Sequence, residues 1–225
     1  MQIMPNDPPI VDVIASGVHD AKNVLFDALM RVGVAMREVS ADRGEAALPL
    51  LQEVESAIED AADRLSTLLS AYRLSSHENP VVLMPVAVSD LLDDALLRAH
   101  QLGSHGDGVT INRGTVCGDT VLLDRELVAD SLVNAIQNAG RYAQSRVLVS
   151  AMAEGDWLTF RVEDDGPGLD TMDENATDEA GHSGVGLFVA RRIAALHSRH
   201  GRRGNLTLMN GGVLGGALFE MVLPT

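Results

Sequence analysis

The sequence predicts an α+β protein in two parts, an N-terminal helical hairpin followed by a layer of mixed strands and helices. Three observations carry that expectation. Apolar residues recur at heptad spacing in two runs before residue 75, the chain changes character at Ser76-His-Glu-Asn-Pro80, and beyond it alternating strand patterns arrive late and mostly as hairpin-linked pairs. The first gives the hairpin, the second places the boundary between residues 78 and 79, and the third favours an α+β layer over a doubly wound parallel sheet.

The first seam runs Ile14, Val18, Ala21, Leu25, Ala28, Val32, Ala35 and Val39. The second runs Leu51, Val54, Ile58, Ala61, Leu65, Leu68 and Tyr72, after a break at Asp42-Arg-Gly-Glu45. Two long helices joined by a short turn form an antiparallel hairpin. A helix of ~30 residues is roughly 45 Å long, and one hairpin cannot bury stripes of that length alone. The economical solution is a homodimer in which two hairpins make a four-helix bundle. In residues 79–225, Val81 to Val88 read as a strand, Ser89 as the N-cap of a helix ended by Gly103, and Val109 to Val116 and Thr120 to Asp124 as short strands. Asp124 to Ala143 then read as an amphipathic helix, followed by two strands around Glu154-Gly-Asp156, a Gly- and acid-rich loop to Ser183, a helix from Gly184 to His200, and strands at Asn205–Asn210 and Ala217–Pro224. Met152, Met209 and Met221 read as core filler.

Composition excludes several classes. The chain has 225 residues, 46% of them hydrophobic, enough for a buried core. Its one cysteine, Cys117, permits no internal disulfide, and a reducing compartment, the cytoplasm, is the expected address. No basic n-region precedes an apolar core, and no stretch approaches the roughly 18–20 apolar residues of a membrane span. With 32 acidic against 17 basic residues, the formal charge of -15 opposes nucleic-acid binding, apart from a local basic patch at Arg199 to Arg203, and 3% aromatics provide little for base stacking.

Three motifs in the second part carry chemistry when taken together. Asn134 and Asn138 lie four apart on one helix face, with Arg141 and Tyr142 a turn later. Such a face can offer a carboxamide oxygen to Mg²⁺ and a guanidinium to phosphate. Asp164-Asp-Gly166-Pro-Gly168 ends an alternating strand, where a surface turn would use the same residues. Gly181-His-Ser-Gly184-Val-Gly186 runs into a helix, whose N-terminus suits phosphate, although it lacks the lysine of a P-loop.

In this order and spacing the three resemble the N, G1 and G2 boxes of the histidine kinase ATP-binding domain, within the superfamily shared with gyrase, heat-shock chaperone and mismatch-repair ATPases. The run from Asp124 through Asn134, Asn138, Arg141 and Tyr142 is similar to the N box, Asp164-x-Gly166-x-Gly168 to G1, and Gly184-x-Gly186-Leu to G2. The resemblance covers about residues 81–225 and implies a two-layer α/β sandwich that binds ATP and Mg²⁺. It implies that Asp164 accepts from the adenine amino group and that Asn138 holds Mg²⁺. Asn134 and Arg141 then lie near the phosphates, Tyr142 lines the site, Gly166 and Gly168 let the chain approach the nucleotide, and the amides around Gly184 and Gly186 cradle the phosphates. Where the gyrase-like branch has a water-activating glutamate, four residues before the metal-binding asparagine, this chain has Asn134. A carboxamide is no general base, so ATP is expected to be held for transfer.

That expectation gives a role to Val18-His19-Asp20-Ala-Lys-Asn23, which resembles the phosphoacceptor box of two-helix dimerisation domains in the same family. A neutral His19 in line with the γ-phosphate is a sufficient nucleophile. Asp20 would hold the protonated ring nitrogen, and Asn23, at i+4, would orient water in a reverse phosphatase step. Asp20 stands where Glu is commoner, the usual basic-x-Pro ending is Asn-Val-Leu, and the segment from Asp170 to Ser183 has no phenylalanine box. The expected partner is the receiver domain of a response regulator, phosphorylated on an aspartate. No sensor domain is visible before residue 10, so a separate sensor protein, or a longer chain of which this is part, is expected to supply the signal. Two rivals are a phosphotransfer adaptor with a degenerate ATPase-like domain, which would not need the three boxes, and an anti-sigma-type serine kinase, which would not need His19 or the hairpin.

Overall fold

The computed structural model describes residues 10–40, part of 49–74, 81–101, 108–169 and 185–225. The expected turn at 42–45, Gly103, the segment 170–183 and Gly184 lie outside the described residues. The chain divides into two compact units near residue 75.

In the first unit, helix α1 spans Ile10–Ser40, and every described residue between 49 and 74 is helical, an element called α2 here. Pro49 is its first described residue, where a fixed φ suits a helix start. Arg31 of α1 forms an ion pair with Glu53 of α2. The heptad seams each split into two registers. Ala21, Ala28 and Ala35 of α1 and Val54, Ala61 and Leu68 of α2 are buried, whereas Val18, Leu25 and Val39 of α1 and Leu51, Ile58, Leu65 and Tyr72 of α2 are exposed.

The second unit runs β1 (Met84–Ala87), α3 (Val88–Gln101), β2 (Thr110–Cys117), β3 (Thr120–Leu123), α4 (Arg125–Tyr142), β4 (Arg146–Glu154), β5 (Trp157–Asp164), α5 (Val185–Leu196), β6 (Ser198–Arg199), β7 (Arg202–Arg203), β8 (Asn205–Asn210) and β9 (Ala217–Pro224). A five-stranded sheet has the order β2-β4-β5-β9-β8. It is antiparallel except for the β2–β4 pair, which is parallel because β3 and α4 form the crossover between the two strands. Helices α3 and α4 pack on each other and on the sheet. The strand alternation is the two-layer signature: Val147, Val149, Ala151, Leu158, Phe160, Val162, Met221 and Leu223 are buried, while Arg161 and Glu220 pair at 2.8 Å on the outer face.

Several local expectations are corrected. Helix α3 starts at Val88, before Ser89, because the Val88 amide is satisfied by the Asp119 carbonyl (3.3 Å) and its side chain is fully buried. Helix α5 stops at Leu196 instead of His200. There His197 turns inward, and residues 198–203 fold into the β6–β7 hairpin, with His200 (φ 50°) and Gly201 (φ 77°) in left-handed conformations at its turn. Of the three methionines only Met221 is core, since Met152 and Met209 stand on exposed positions of β4 and β8.

Candidate functional site

Helix α4 begins with a cap. Asp124 has extended backbone angles (φ -83°, ψ 106°) and its Oδ1 accepts from the Leu127 amide at 3.1 Å. The helix buries Leu132, Val133, Ala135, Ile136 and Ala139. By helical period that leaves the face with half-buried Asn134, exposed Asn138, exposed Arg141 and half-buried Tyr142 turned away from the packed side. The structure thus brings four of the sequence-predicted residues onto the last three turns of one helix.

The glycine turn after β5 is built against the end of that helix. Asp164 is buried, and its Oδ1 accepts from the amides of Gly166 (2.9 Å) and Ala217 (3.1 Å). Among the described residues no donor reaches its Oδ2, so one carboxylate oxygen is locked while the other can receive a donor from a ligand. A Cβ on Gly166 would lie 2.3 Å from the Tyr142 carbonyl oxygen. Glycine is required there for the turn to pass the C-terminus of α4. Gly168 has φ 79°, and its neighbour Leu169 donates to Asn210 Oδ1 at 2.6 Å.

Sequence reasoning missed Asp165. Its Oδ1 accepts from the amides of Gln144 (2.9 Å), Ser145 (2.9 Å) and Arg146 (3.0 Å), and its Oδ2 from Ser145 Oγ (2.6 Å). These donors, the Ser145 hydroxyl first, hold its carboxyl well below the usual carboxylate range. Asp165 therefore clips the glycine turn to the α4–β4 connection. Buried Glu163 was missed too, and accepts from the Val213 amide at 2.5 Å, tying β5 to the loop before β9. The available signal was the run of three acids at the end of an alternating strand, more than one ligand contact needs.

Gly186 is the second residue of α5, with no described atom within 4 Å of where a Cβ would stand. Packing in the described structure does not explain this glycine. His19, Asp20 and Asn23 lie on α1 in the other unit; of the three side chains only that of Asn23 is described, and it is exposed. His197, inside the helix expected to run to His200, is buried and hydrogen-bonded at both ring nitrogens.

The site is thus a buried acid on a glycine turn that is clipped to the end of the helix carrying the two asparagines. Residues 118–225 match the family described as histidine kinase-, DNA gyrase B- and HSP90-like ATPase. Over these residues the chain is similar to that ATPase family. It is a relative of the two-component sensor histidine kinases: it is 28% identical to the sensor histidine kinase CpxA of Escherichia coli over 62% of this chain and 34% of CpxA, and 26% identical to the sensor protein QseC of the same species over 85% of this chain and 44% of QseC. The chain thus spans less than half the length of these relatives. Among solved structures it shares its fold with the Acinetobacter baumannii histidine kinase AdeS (TM-score 0.62, 16% identity, 88% of this chain and 94% of that one). Full-length ShkA in complex with AMPPNP gives a TM-score of 0.56 at 22% identity over 96% of this chain and 46% of that one. No helix among the described residues is long and apolar enough to cross a membrane.

Proposed function

We propose that the chain is an ATP-dependent protein histidine kinase that phosphorylates His19 and passes the phosphoryl group to an aspartate of a response-regulator receiver domain. The observation that carries the reading is Asp164, buried at the end of β5 with Oδ1 fixed by two amides and its turn packed on the helix of Asn134, Asn138 and Arg141. A fixed, buried acceptor suits an exocyclic amino group such as that of adenine, and selects by hydrogen bonding what a merely apolar slot would not.

In this reading Asn138 supplies an oxygen to Mg²⁺, whose preference is for hard oxygen ligands. Asn134 and Arg141 orient the phosphates, Tyr142 flanks the nucleotide, Gly168 gives the G1 turn its left-handed bend, and the amides at Gly184 and Gly186 receive phosphate oxygens at the start of α5. Asn134 in place of a carboxylate leaves no base beside the γ-phosphate, which disfavours hydrolysis. The His19 imidazole forms the new P–N bond as the terminal P–O bond breaks and ADP leaves, with Asp20 holding the ring proton. Asn23 orients water when the regulator is dephosphorylated.

The outward registers of α1 and α2 support the assembly. Val18, Leu25 and Val39, with Leu51, Ile58, Leu65 and Tyr72, offer a second copy the apolar faces of a four-helix bundle. The domain division at 78/79, the cytoplasmic address and a sensor input from a partner or a longer chain belong to the same proposal. Incubation of the pure chain with γ-labelled ATP and Mg²⁺, beside His19→Ala and Asn138→Ala, tests it. Acid-labile, base-stable label on the wild type, lost in both variants, is expected; acid-stable label, or label retained by His19→Ala, overturns it.

A further inference from the structure

Asp124 uses every polar group it has, and together they reach three elements. Its Oδ1 caps α4 at the Leu127 amide (3.1 Å), and its carbonyl accepts from Val128 (3.1 Å). Its Oδ2 accepts from the Val82 amide (2.8 Å), and its own amide donates to His197 Nε2 (3.0 Å). His197 Nδ1 is 2.8 Å from the Ile193 carbonyl, so the ring is neutral with its proton on Nδ1 and its lone pair on Nε2. Asp124 is 8% exposed and His197 2%. The end of α5, the start of α4 and the segment entering β1 therefore meet at one residue.

Val82 is the unexpected member. It lies shortly after the division between the units, its side chain is 67% exposed, and the next side chain, Leu83, is exposed as well. Burial does not hold this stretch. Ladder pairing of β1 with β3 begins only at Met84, opposite Leu123. An N-cap needs one carboxylate oxygen, and the second is spent on the chain that arrives from the hairpin.

We propose that Asp124 is a positioning residue that fastens the interdomain segment at Val82 to the first turn of the helix carrying Asn134 and Asn138. The inference rests on the kinase reading above. Fastening gives the chain a fixed point of entry into the catalytic unit, so that motion arriving from the hairpin is delivered to α4 instead of being absorbed in residues 81–83. Transfer to His19 requires the γ-phosphate and the imidazole to meet in line, and misplacement by about 1 Å can slow such a step ~10²-fold. Nucleotide binding, which is internal to the catalytic unit, does not depend on the fastening.

Two variants of the full chain remove the same hydrogen bond from opposite sides. Asp124→Asn keeps an oxygen for the cap, at which Asn and Asp are equivalent, and has none left for Val82. Val82→Pro removes the donor and keeps the carboxylate. Both are expected to retain the wild-type KM for ATP within about threefold and to label His19 at least about tenfold more slowly at saturating ATP. Amide exchange in Asp124→Asn should rise at residues 82–84 while Leu127 stays protected. Wild-type labelling rates in both variants, or unchanged exchange at 82–84, overturn the proposal. A tenfold loss of nucleotide affinity also overturns it, because Asp124 would then act only by holding α4 together. A wild-type chain that binds ATP and never labels His19 overturns the kinase reading and the positioning role with it, whereas label on the wild type with none of these changes in the variants sinks the fastening alone.

Discussion

Replacing Asp165 by alanine removes four accepted hydrogen bonds at once, three from consecutive amides at the α4–β4 connection and one from the Ser145 hydroxyl. Ser145 and Arg146 are exposed, so water can take the vacated places, and the net loss is nearer 1 kcal/mol per bond than the full penalty of a buried unpaired group. The carboxylate itself is 14% exposed and makes only a long contact to the Arg146 guanidinium at 3.9 Å, which adds little. The expected destabilisation is about 4 kcal/mol, which at ~2–4 °C per kcal/mol for a domain of this size lowers Tm by about 8–16 °C. Asp165→Asn, which keeps a neutral acceptor, should lose about half as much. The dependence on pH follows from the sign of the shift. The folded carboxyl titrates below its ordinary value of 3.8, so its stabilisation is fully present above that value and is lost as pH falls below it. Thermal melts of wild type, Asp165→Ala and Asp165→Asn from pH 7 to pH 3 read both effects. A change in Tm of less than about 2 °C for Asp165→Ala, or a gap between wild type and Asp165→Asn that is the same at pH 7 and pH 3, would refute the clip.

Three further outcomes are expected. Gly166→Ala places a methyl 2.3 Å from the Tyr142 carbonyl, so the turn must move, and ATP affinity by calorimetric titration should fall at least about tenfold while circular dichroism keeps its helix and strand content. Leu25→Glu combined with Ile58→Glu sets charges on the outward registers of α1 and α2, and light scattering is expected to report a dimer for the wild type and a monomer for the variant; a wild-type monomer, or a dimer with both charges present, would refute the bundle. Burial, opposed in part by the Ile193 hydrogen bond and the Asp124 charge, lowers the pKa of His197 from its ordinary 6.5. Stability from the neutral ring is therefore whole above that value and lost as pH falls below it, so denaturant midpoints between pH 7.5 and 5 should fall more steeply for the wild type than for His197→Asn, and parallel curves would count against the assigned tautomer.

What the sequence made legible was periodic or local. Val147 to Ala151 and Leu158 to Val162 alternate with a period of two, and Leu127 to Ala139 recur at helical spacing, so β4, β5 and α4 could be placed and the Asn134–Asn138 face recognised. What was hidden was long-range. Asp164 and Asp165 are chemically identical neighbours, yet one bonds across 53 residues to Ala217 and the other across 19 to 21 residues to the end of α4. No local rule sorts them, because their roles depend on which amides the folded sheet presents. His197 is similar: helix periodicity carried past Leu196, and the residue's burial depends on an amide 73 residues away. The β6–β7 hairpin was missed because two-residue strands are too short for alternation to register.

The heptad reading merged two registers that burial separates, and on α1 the reason is side-chain size. One register of α1 is alanine at 21, 28 and 35, and it is buried. Alanine lets helix axes approach closely, so this register suits the narrow seam inside a single hairpin. The alternate register carries Val18, Leu25 and Val39, which are too large for so close an approach and stay exposed, as do Leu51, Ile58, Leu65 and Tyr72 on α2. A sequence pattern that counts only apolar against polar merges the two registers into one stripe. On α1, sorting by volume separates the buried register from the exposed one; on α2 it does not, because Val54 and Leu68 are buried beside Ala61. The larger side chains are those with the most area to remove from water, at roughly 25 cal/mol per Å², so they form the register on which association between two copies would draw.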